Sequence, residues 1–343
     1  MKALLFSGPE EKMTCRDVPL PQIEPDQLLV RIRCAGICGT DLHYYQSEDF
    51  RREKKLRYPF ILGHEMAGEV VEAGRAVKRF SVGDRITTET HVPCGSCFYC
   101  LNDQQHVCLH LEPFAKRMGG VFAEYCRVPE YTARRLPARV SERLGSMFEP
   151  LGVAVRAVLE AGCQGDSLLV TGCGPIGVMA VGVAKVLGAG PVFAAEVVPE
   201  RLQMASRMGA DHALGGSGGE MEERILEATG GLGVGTFIEA SGAPAAFNLG
   251  LNVLRRGGKA VIFGLGEKRA EVDVSRWIVA KEANITGIHG RRMFDTWRRM
   301  ESLIEQKTIP FEIVMGEAFP LERYPEAFEL ALSGKTGKIF FEP

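Results

Sequence analysis

The hydrophobic pattern of the chain changes character near residue 147. Before that point, short apolar runs bounded by glycine, such as DQLLVRIRCAGIC, EMAGEVVEAG and VGDRIT, are typical of β-strands joined by turns. No long helical period interrupts them. This first part therefore predicts a small barrel or sandwich.

Beyond residue 147, apolar strands alternate with segments of helical period. The predicted strands are SLLVTG, PVFAAE, GTFIEAS and KAVIFGL, and the predicted helices are EPLGVAVRAVLEAG, PIGVMAVGVAKVLGAG, PERLQMASRMGA, EMEERILEATGG and APAAFNLGLNVLRRGG. This alternation is typical of an α/β fold with a parallel, doubly wound sheet. Two further helices, MFDTWRRMESLIEQ and YPEAFELALSG, and a closing strand, GKIFFEP, follow. We therefore predict domains at 1–149 and 150–288, with 289–343 returning to the first domain.

Charge and composition exclude several classes of partner. The 343 residues carry 41 basic and 43 acidic side chains, a net charge of −2, which gives no reason to expect nucleic acid or an acidic membrane. The longest apolar stretch, PIGVMAVGVA, is too short to span a bilayer, and the N-terminus lacks a signal-peptide pattern. We expect a cytoplasmic protein. The most polar stretches, 47–57 and 215–223, are expected to be exposed loops or solvated helix faces.

Four of the ten cysteines lie close together, in PCGSCFYCLNDQQHVC: Cys94, Cys97, Cys100 and Cys108. They could form disulfides, a nucleic-acid zinc module or a metal-bound lobe inside a larger protein. In a long chain without a leader, metal binding is favoured over disulfides. The absence of Lys and Arg between residues 86 and 115 disfavours the nucleic-acid module.

A glycine-rich motif opens the second domain. Gly172, Gly174 and Gly177 form G-x-G-x-x-G after a predicted strand, at the start of a predicted helix, and Glu196 ends the next strand. This context predicts a dinucleotide site, with the pyrophosphate at the helix N-terminus and Glu196 on the ribose hydroxyls. Glu196 favours NAD over NADP because it would repel a 2′-phosphate. Arg201 could tolerate that phosphate, but we interpret it as packing near the adenine; glycines that serve packing alone remain the alternative.

Two stretches of the first domain carry candidate metal ligands. GICGTDLHYY contains Cys38 and LGHEMAGEV contains His64 and Glu65, while Glu149 lies in FEPLG at the entrance to the α/β domain. A thiolate, an imidazole and a carboxylate are the ligand types of a catalytic zinc that keeps one position open. Each residue alone also fits an ordinary buried or surface position, so spacing leaves both interpretations open.

The motifs GICGTDLH, GHE, CGSCFYC…VC and TGCGPIG occur in this order, and the chain resembles the zinc-dependent medium-chain dehydrogenase/reductase family along essentially its whole length. The segments TETHVPCG, EASGAPAAF and ITGIHGRRMFDTWRRM are most similar to the threonine dehydrogenase subgroup, with sorbitol and other polyol dehydrogenases next. The resemblance implies a GroES-like β-rich catalytic domain and a Rossmann cofactor domain. It also implies a homo-oligomer, commonly a tetramer, whose cofactor domains pair through an edge strand. KAVIFGLG followed by AEVDVSRWIV could be that strand, although burial within one subunit explains it equally well.

The resemblance further implies two zinc ions and NAD. The four clustered cysteines would hold a structural zinc in a lobe at about 91–110. Cys38, His64 and Glu65 would hold the catalytic zinc, with Glu149 joining them or exchanging with substrate. Thr40 and His43 would relay the proton to solvent, and His91 would face the substrate; a purely local structural role is the alternative for all three. The expected cofactor contacts are Gly172, Gly174, Pro175, Ile176, Gly177, Glu196, Arg201, Gly264, Leu265, Ile288 and His289.

The expected reaction is the NAD-linked oxidation of a secondary alcohol, with L-threonine as the first candidate substrate. The threonine enzymes usually continue the EP motif as FGNAVH, whereas this chain has Val153 and Arg156 at the Asn and His positions. A polyol, a vicinal diol or an amino alcohol is therefore the alternative substrate, and a non-catalytic NAD- or zinc-binding protein is a third hypothesis. Arg291 and Arg292 could attract a carboxylate, but we expect them to be solvated.

Overall fold

The structure is a computed structural model that describes residues 1–266 and 268–343. Its strands in this part of the chain are, in order, β1 Lys2–Phe6, β2 Thr14–Asp17, β3 Gln27–Gly36, β4 Phe60–Ile61, β5 Glu65–Ala73, β6 Arg85–Thr88, β7 His91–Val92, β8 Glu112–Pro113, β9 Tyr125–Pro129, β10 Ala133–Arg135, β11 Leu168–Thr171, β12 Val192–Ala195, β13 His212–Leu214, β14 Val234–Glu239, β15 Leu254–Ile262, β16 Asn284–Gly287, β17 Met315–Phe319 and β18 Lys338–Phe341.

The α-helices of the same residues are α1 Gly39–Gln46, α2 Glu48–Glu53, α3 Phe98–Leu101, α4 Phe114–Met118, α5 Glu142–Ser146, α6 Phe148–Ala161, α7 Pro175–Val186, α8 Pro199–Arg207, α9 Gly218–Ala228, α10 Pro244–Val253, α11 Asp295–Gln306 and α12 Tyr324–Ser333. Short 3-10 helices lie at Gln105–Val107, Phe311–Val314 and Leu321–Arg323, and a π-helical turn lies at Ser275–Val279.

The chain forms two compact units, and the first is β-rich. It contains Met1–Pro150, Met315–Ser333 and Lys338–Pro343. Its main sheet has the order β10-β6-β5-β3-β18-β17, with β9 also pairing with β3, and two smaller sheets, β2-β1-β4 and β7-β8, accompany it. The central strand β3 has ten residues, and only two of its side chains face solvent. It pairs with β5 from Leu28 to Gly36, with β9 over its first half, and with β18 at Ala35 and Gly36.

The second unit contains Leu151–Val314 and Gly334–Gly337 and is a six-stranded parallel sheet within the described residues. Its order, β13-β12-β11-β14-β15-β16, reverses direction between β11 and β14. The strands β11, β12 and β14 are buried on both faces, as expected for the inner strands of a doubly wound sheet. In folds of this kind the ligand lies beyond the carboxyl ends of the strands at that reversal.

Helix termini in the second unit follow local sequence rules. Pro175 and Pro244 occupy the first helical position, where a missing N–H costs nothing. Helix α9 begins with a capping box, in which the Ser217 hydroxyl accepts from the Glu220 N–H and the Glu220 carboxylate accepts from the Ser217 N–H. These signals explain why the sequence predicts the helices of this unit well.

One expectation differs from the structure, and one open alternative is decided by it. Residues 289–314 belong to the second unit, not to the first, because Gly152 makes room for the side chain of Arg291 and the 3-10 helix Phe311–Val314 contacts α7 and α8. KAVIFGLG is an inner strand, since β15 pairs with both β14 and β16. The edge strand on that side is β16.

The polar stretch 47–57 is mostly exposed and contains helix α2, as expected, with one exception. Its Arg51 is buried, and the guanidinium donates from Nε to the Pro9 carbonyl at 2.7 Å and lies over the Phe6 ring. The Arg51 guanidinium donates hydrogen bonds to backbone carbonyls and packs against an aromatic ring. The side chain therefore stabilises α2 by buried contacts and is not solvated.

Candidate zinc and cofactor sites

The four clustered cysteines surround a common point. Their ligand sulfurs all lie within 4.8 Å of one another, with Cys97 to Cys100 at 3.5 Å, Cys97 to Cys108 at 3.7 Å and Cys94 to Cys100 at 3.9 Å. A tetrahedral zinc with Zn–S bonds of about 2.3 Å requires sulfur–sulfur edges of about 3.8 Å. All ten cysteines of the described chain are free thiols. The lobe therefore has the geometry of a closed four-thiolate zinc site and not of a disulfide.

Backbone groups of the lobe favour thiolates at Cys94 and Cys97, whereas burial raises the pKa of Cys100 to about 12. The N–H of Ser96, followed by that of Cys97, lowers the pKa of Cys94 to about 6. The N–H groups of Cys94 and His110 donate to the sulfur of Cys108, each at 3.3 Å. Because the metal ligand is the thiolate, this local hydrogen bonding prepares the lobe for a cation.

The second candidate metal group is built where β3 and β5 meet. Cys38 follows β3, and His64 immediately precedes Glu65, the first residue of β5, which pairs with Gly36. One donor atom from each of Cys38, His64 and Glu65 lies within 4.8 Å of the others. Sulfur, imidazole nitrogen and carboxylate oxygen at this spacing are a fitting donor set for zinc, and three protein ligands leave a position open.

Asp41 is a buried residue behind this group that the sequence analysis missed. Its Oδ2 accepts from the Cys38 N–H at 2.9 Å, and its Oδ1 lies 3.7 Å from His64 Nδ1. Burial lowers the pKa of His64, but the carboxylate of Asp41 and then Cys38 outweigh it, so the pKa is raised well above its usual range. A carboxylate facing Nδ1 orients the ring and leaves Nε2 for a metal. Its position at the third residue of α1, where capping acids are common, was the available signal.

Glu149 is held by a different contact. The Thr90 hydroxyl donates to Glu149 Oε1 at 2.9 Å, and Glu149 is not in the three-residue donor group found among the described residues. Glu89, fully buried, accepts from the N–H groups of Thr90 and His91 and lies 3.2 Å from His91 Nδ1. Thr90 thus fixes Glu149, and Glu89 fixes His91. Thr90 and Glu89 themselves belong to no recognisable sequence motif.

The proposed relay residues lie on the first helix. Thr40 and His43 are both exposed on α1, and the His43 ring centroid is 5.5 Å from that of Phe50. Their exposure is compatible with proton transfer to solvent. The capping interaction of Cys38 and Asp41 at the start of α1 fixes the helix that carries both residues.

The glycine motif forms the expected turn between β11 and α7. Gly172 has φ of 82°, a conformation that favours glycine, and Gly174 is the N-cap of α7. A Cβ on Gly177 would collide with the carbonyl of Gly172, so only glycine allows this helix to approach the turn. Beyond it lies a cavity of about 400 Å³ lined by residues of this unit, among them Gly172, Gly174, Glu196 and Arg201.

Glu196 is tightly fixed at the edge of that cavity. Its Oε2 accepts from the Cys173 N–H at 2.8 Å and its Oε1 from the N–H groups of Val197 and Val198 at 2.7 and 3.0 Å. Arg201 lies 4.0 Å from Glu196 Oε2 and donates to the Gly334 carbonyl at 2.6 Å. The carboxylate of Glu196 therefore lies where the sequence predicts an acid that binds the ribose hydroxyls. Part of the Arg201 guanidinium is used in its hydrogen bond to a backbone carbonyl.

The remaining predicted cofactor contacts are spread over the second unit. Pro175 and Ile176 begin α7. Leu265 is 91% exposed and its neighbour Gly264 approaches Glu239. Ile288 is buried after β16, and His289 is exposed.

One arginine of this region differs from expectation. Arg291 is fully buried, whereas Arg292 is exposed, as expected, and pairs with Glu160 at 2.9 Å. Arg156, one of the two departures from the threonine enzymes, is buried and donates to the carbonyls of His289 and Gly290 at 2.8 and 3.3 Å. Its guanidinium braces the 289–290 backbone, which is a structural use that sequence alone could not distinguish from a role in substrate binding.

Among the described residues, no helix is both long enough and apolar enough to cross a membrane.

Comparison with known proteins agrees with this geometry. The sequence matches the alcohol dehydrogenase GroES-like domain over residues 24–138 and the zinc-binding dehydrogenase domain over residues 175–306. The L-threonine 3-dehydrogenase of Pyrococcus furiosus is 36% identical over 99% of this chain and 98% of its own length. That of Bacillus subtilis is 37% identical over 100% of this chain and 99% of its own.

The chain belongs to the zinc-dependent medium-chain dehydrogenase family. A solved zinc-binding dehydrogenase of Sinorhizobium meliloti, bound to NADP, is 28% identical with a TM-score of 0.90 and covers 100% of this chain and 99% of that one. The predicted family, the two-part fold class and the enzyme class are thereby confirmed. As a member of this family, the protein is a zinc-dependent oxidoreductase of the alcohol dehydrogenase type.

Proposed function

We propose that the protein oxidises the 3-hydroxyl of L-threonine to 2-amino-3-oxobutanoate with NAD as the hydride acceptor. The observation that carries the reaction type is the convergence of Cys38, His64 and Glu65 on one point at the end of β3. The substrate rests on the relatives, which are named L-threonine 3-dehydrogenase and match over almost the full length of the chain.

The catalytic metal site in this proposal consists of Cys38, His64 and Glu65, with Glu149 nearby. A zinc ion held there supplies a Lewis acid that lowers the pKa of a coordinated hydroxyl. Asp41 keeps the His64 ring oriented, and Thr90 holds one oxygen of Glu149. The four cysteines of the lobe would hold the structural zinc, since their closed geometry leaves no position for a substrate.

In the proposed reaction the carbinol hydrogen and the hydroxyl proton leave the alcohol by different routes. A nicotinamide cofactor bound at the turn before α7 would accept the carbinol hydrogen as a hydride, so that the alcohol would become a ketone and NAD would become NADH. The hydroxyl proton passes to Thr40 and then to His43, whose exposure on α1 supports its release to water. His91, braced by Glu89, would hydrogen-bond a polar group of the substrate.

NAD is the proposed cofactor because of Glu196. The carboxylate is fixed by the N–H groups of Cys173, Val197 and Val198, so it cannot swing away from a 2′-phosphate at little cost. Contacts from Gly172, Gly174, Pro175, Ile176 and Gly177 would bind the pyrophosphate at the N-terminus of α7. Arg201, Gly264, Leu265, Ile288 and His289 complete the proposed cofactor set.

The alternative substrate classes are a polyol, a vicinal diol and another amino alcohol. Val153 is the observation that favours them, because a half-buried apolar side chain replaces the amide found in the threonine enzymes. Arg156 gives less support, since its guanidinium is used on the carbonyls of His289 and Gly290.

We also propose that the protein is a homo-oligomer, a tetramer in the first instance. The edge strand β16 has exposed residues at Asn284, Ile285 and Gly287, and the nearby Val274 and Val279 are apolar and exposed. An exposed sheet edge with apolar residues beside it is a template for pairing with a second copy.

The substrate assignment is tested by following NADH at 340 nm with zinc-loaded protein and a panel of L-threonine, sorbitol, 2,3-butanediol and 2-alkanols. We expect kcat/KM for L-threonine to exceed that of every other alcohol by at least about tenfold, which is about 1.4 kcal/mol of transition-state discrimination. NADP replaces NAD as the cofactor control and should support slower turnover. Turnover of a diol or polyol with L-threonine inert would contradict the substrate while leaving the reaction type in place.

A further inference from the structure

A small cavity of the second unit is lined by more arginine than acid. It has a volume of about 190 Å³ and is lined by residues of α6, of α11 and of the segment that leads into α11. Its charged lining groups are the guanidiniums of Arg156, Arg292 and Arg299 and the carboxylates of Glu160 and Asp295. The lining therefore has one positive charge in excess. It shares no residue with the lining of the cavity beside the glycine turn.

The guanidinium of Arg156 is the buried one of the three. The residue is only 7% exposed, and its Nη1 donates to the carbonyls of His289 and Gly290. Its Nε is buried and has no hydrogen-bond acceptor among the described residues. Oε1 of Glu160 lies 3.9 Å from this Nε, which is beyond hydrogen-bond distance. Because a buried donor without an acceptor costs stability, the position favours an acceptor that enters the cavity.

The acid nearest to Arg156 is already engaged elsewhere. The same Oε1 of Glu160 lies 2.9 Å from Nη2 of Arg292. Burial lowers the pKa of Arg156, Glu160 opposes this effect, and the positive charges of Arg292 and Arg291 lower that pKa further. One carboxylate is therefore shared between two guanidiniums, with a third close by. An additional anion would relieve the repulsion among them.

The other two arginines of the cavity are free to turn toward such an anion. Arg299 pairs through Nε with Oδ2 of Asp295 at 2.8 Å, and both side chains are exposed. Arg292 is exposed as well. Ion pairs of exposed side chains contribute little to stability, so these arginines can exchange a carboxylate for a bound oxyanion at small cost. Helix α11 begins at Asp295, so the positive end of its dipole also lies at the cavity.

We propose that this cavity binds a phosphate group, with the buried Arg156 as its fixed donor and with Arg292 and Arg299 closing on it from the surface. Guanidinium groups bind oxyanions through paired N–H donors, and a phosphate offers more charge and more acceptor oxygens to three of them than a carboxylate does. This chemistry is the same for free inorganic phosphate and for a phosphomonoester. The inference does not depend on which alcohol the protein oxidises.

The experiment is isothermal titration calorimetry on the zinc-loaded protein at saturating NAD, which keeps phosphate out of the dinucleotide turn. Inorganic phosphate and glycerol 3-phosphate are titrated separately, at an ionic strength held constant with chloride. Wild type is compared with Arg156→Met, Arg299→Met and Glu160→Gln. Arg298→Met is the matched control, because Arg298 lies next to Arg299 on α11, pairs with the same Asp295 at 3.4 Å and does not line the cavity.

We expect wild type to bind one phosphate per chain. Arg156→Met should bind it at least about tenfold more weakly, because hydrogen bonds between charged groups are lost. Arg299→Met should also bind it more weakly. Glu160→Gln should bind it more tightly, because the carboxylate that competes for Arg156 and Arg292 is removed. Arg298→Met should match wild type. Tighter binding of glycerol 3-phosphate would identify a phosphomonoester as the ligand, and tighter binding of inorganic phosphate would identify the free ion; both results support the site.

Three results would overturn the proposal. The first is a wild type that binds neither ligand. The second is equal affinity in wild type and Arg156→Met, since the phosphate would then lie elsewhere, for example on a metal. The third is an equal loss of affinity in Arg298→Met and Arg299→Met, which would mean general attraction to a basic helix. If Arg156→Met does not fold, the opposite shifts expected for Arg299→Met and Glu160→Gln decide the test.

Discussion

Glu196 shows how much of the cofactor preference depends on one side chain. Its two oxygens accept three backbone N–H groups, which hold the carboxylate in place at the edge of the cavity. The same fixed charge that would bind two ribose hydroxyls would repel a phosphate. The predicted preference for NAD over NADP therefore rests on the repulsion between Glu196 and a 2′-phosphate.

Glu196→Ser should lower kcat/KM with NAD by about 10–100-fold, because hydrogen bonds to a charged group contribute about 1.5–3 kcal/mol. Turnover with NADP should fall less or rise, since the repulsion is removed. Steady-state kinetics with both cofactors measures the change. Glu200→Ser, on the first turn of α8 and outside the cavity lining, is the control and should keep the wild-type ratio. An unchanged NADP-to-NAD ratio in Glu196→Ser would contradict the assignment.

Sequence reasoning at this scale finds ligands more readily than the groups that orient them. Cys38, His64 and Glu65 stand in recognisable motifs, and the structure brings their donor atoms together. The capping position of Asp41 is visible in the sequence, but its contact with His64 is not, because the two residues lie on different segments that only the fold brings together. Burial of a charge, which reveals such groups in a structure, has no signature in a single sequence.

Elements of the second unit were predicted well because their apolar strands and helical periods are long. The strands β13 and β16 were missed since they are short and carry exposed or half-buried residues. Helices α1 and α2 were also missed; α1 begins at the capping residue Cys38 and has almost no amphipathic pattern. For KAVIFGLG the sequence left an edge strand and a strand buried within one subunit equally open, and the structure shows the inner strand, while the edge strand β16 is partly polar.

The position of β16 gives a prediction for assembly. Ile285→Lys places a charge on the edge of the sheet, a substitution that opposes edge-to-edge pairing. Light scattering on the native protein should report an oligomer for wild type and a smaller species for Ile285→Lys. Val82→Lys changes another exposed apolar residue, in the first unit, and should leave the mass unchanged. A monomeric wild type, or an unaltered mass for Ile285→Lys, would contradict pairing through β16.

The whole chain is organised as two compact units, and the sequence predicts both. The change of pattern near residue 147 agrees closely with the division between Pro150 and Leu151, inside α6. The return to the first unit was placed too early, at 289 instead of 315, because the helix α11 has no pattern that distinguishes one core from the other. Its membership of the second unit is decided by contacts such as that between Gly152 and Arg291.

The account as a whole depends on two metal sites with separate duties, a closed four-cysteine lobe and an open site at Cys38, His64 and Glu65. The most direct test is zinc content per chain measured together with L-threonine-dependent NADH formation, for wild type and for Cys38→Ser. We predict two zinc ions and turnover in wild type, and one zinc ion, a retained fold and at least about a thousandfold loss of kcat in Cys38→Ser, an activation free-energy penalty of about 4 kcal/mol. Wild-type turnover in Cys38→Ser, or an active wild type with a single zinc ion per chain, would contradict it.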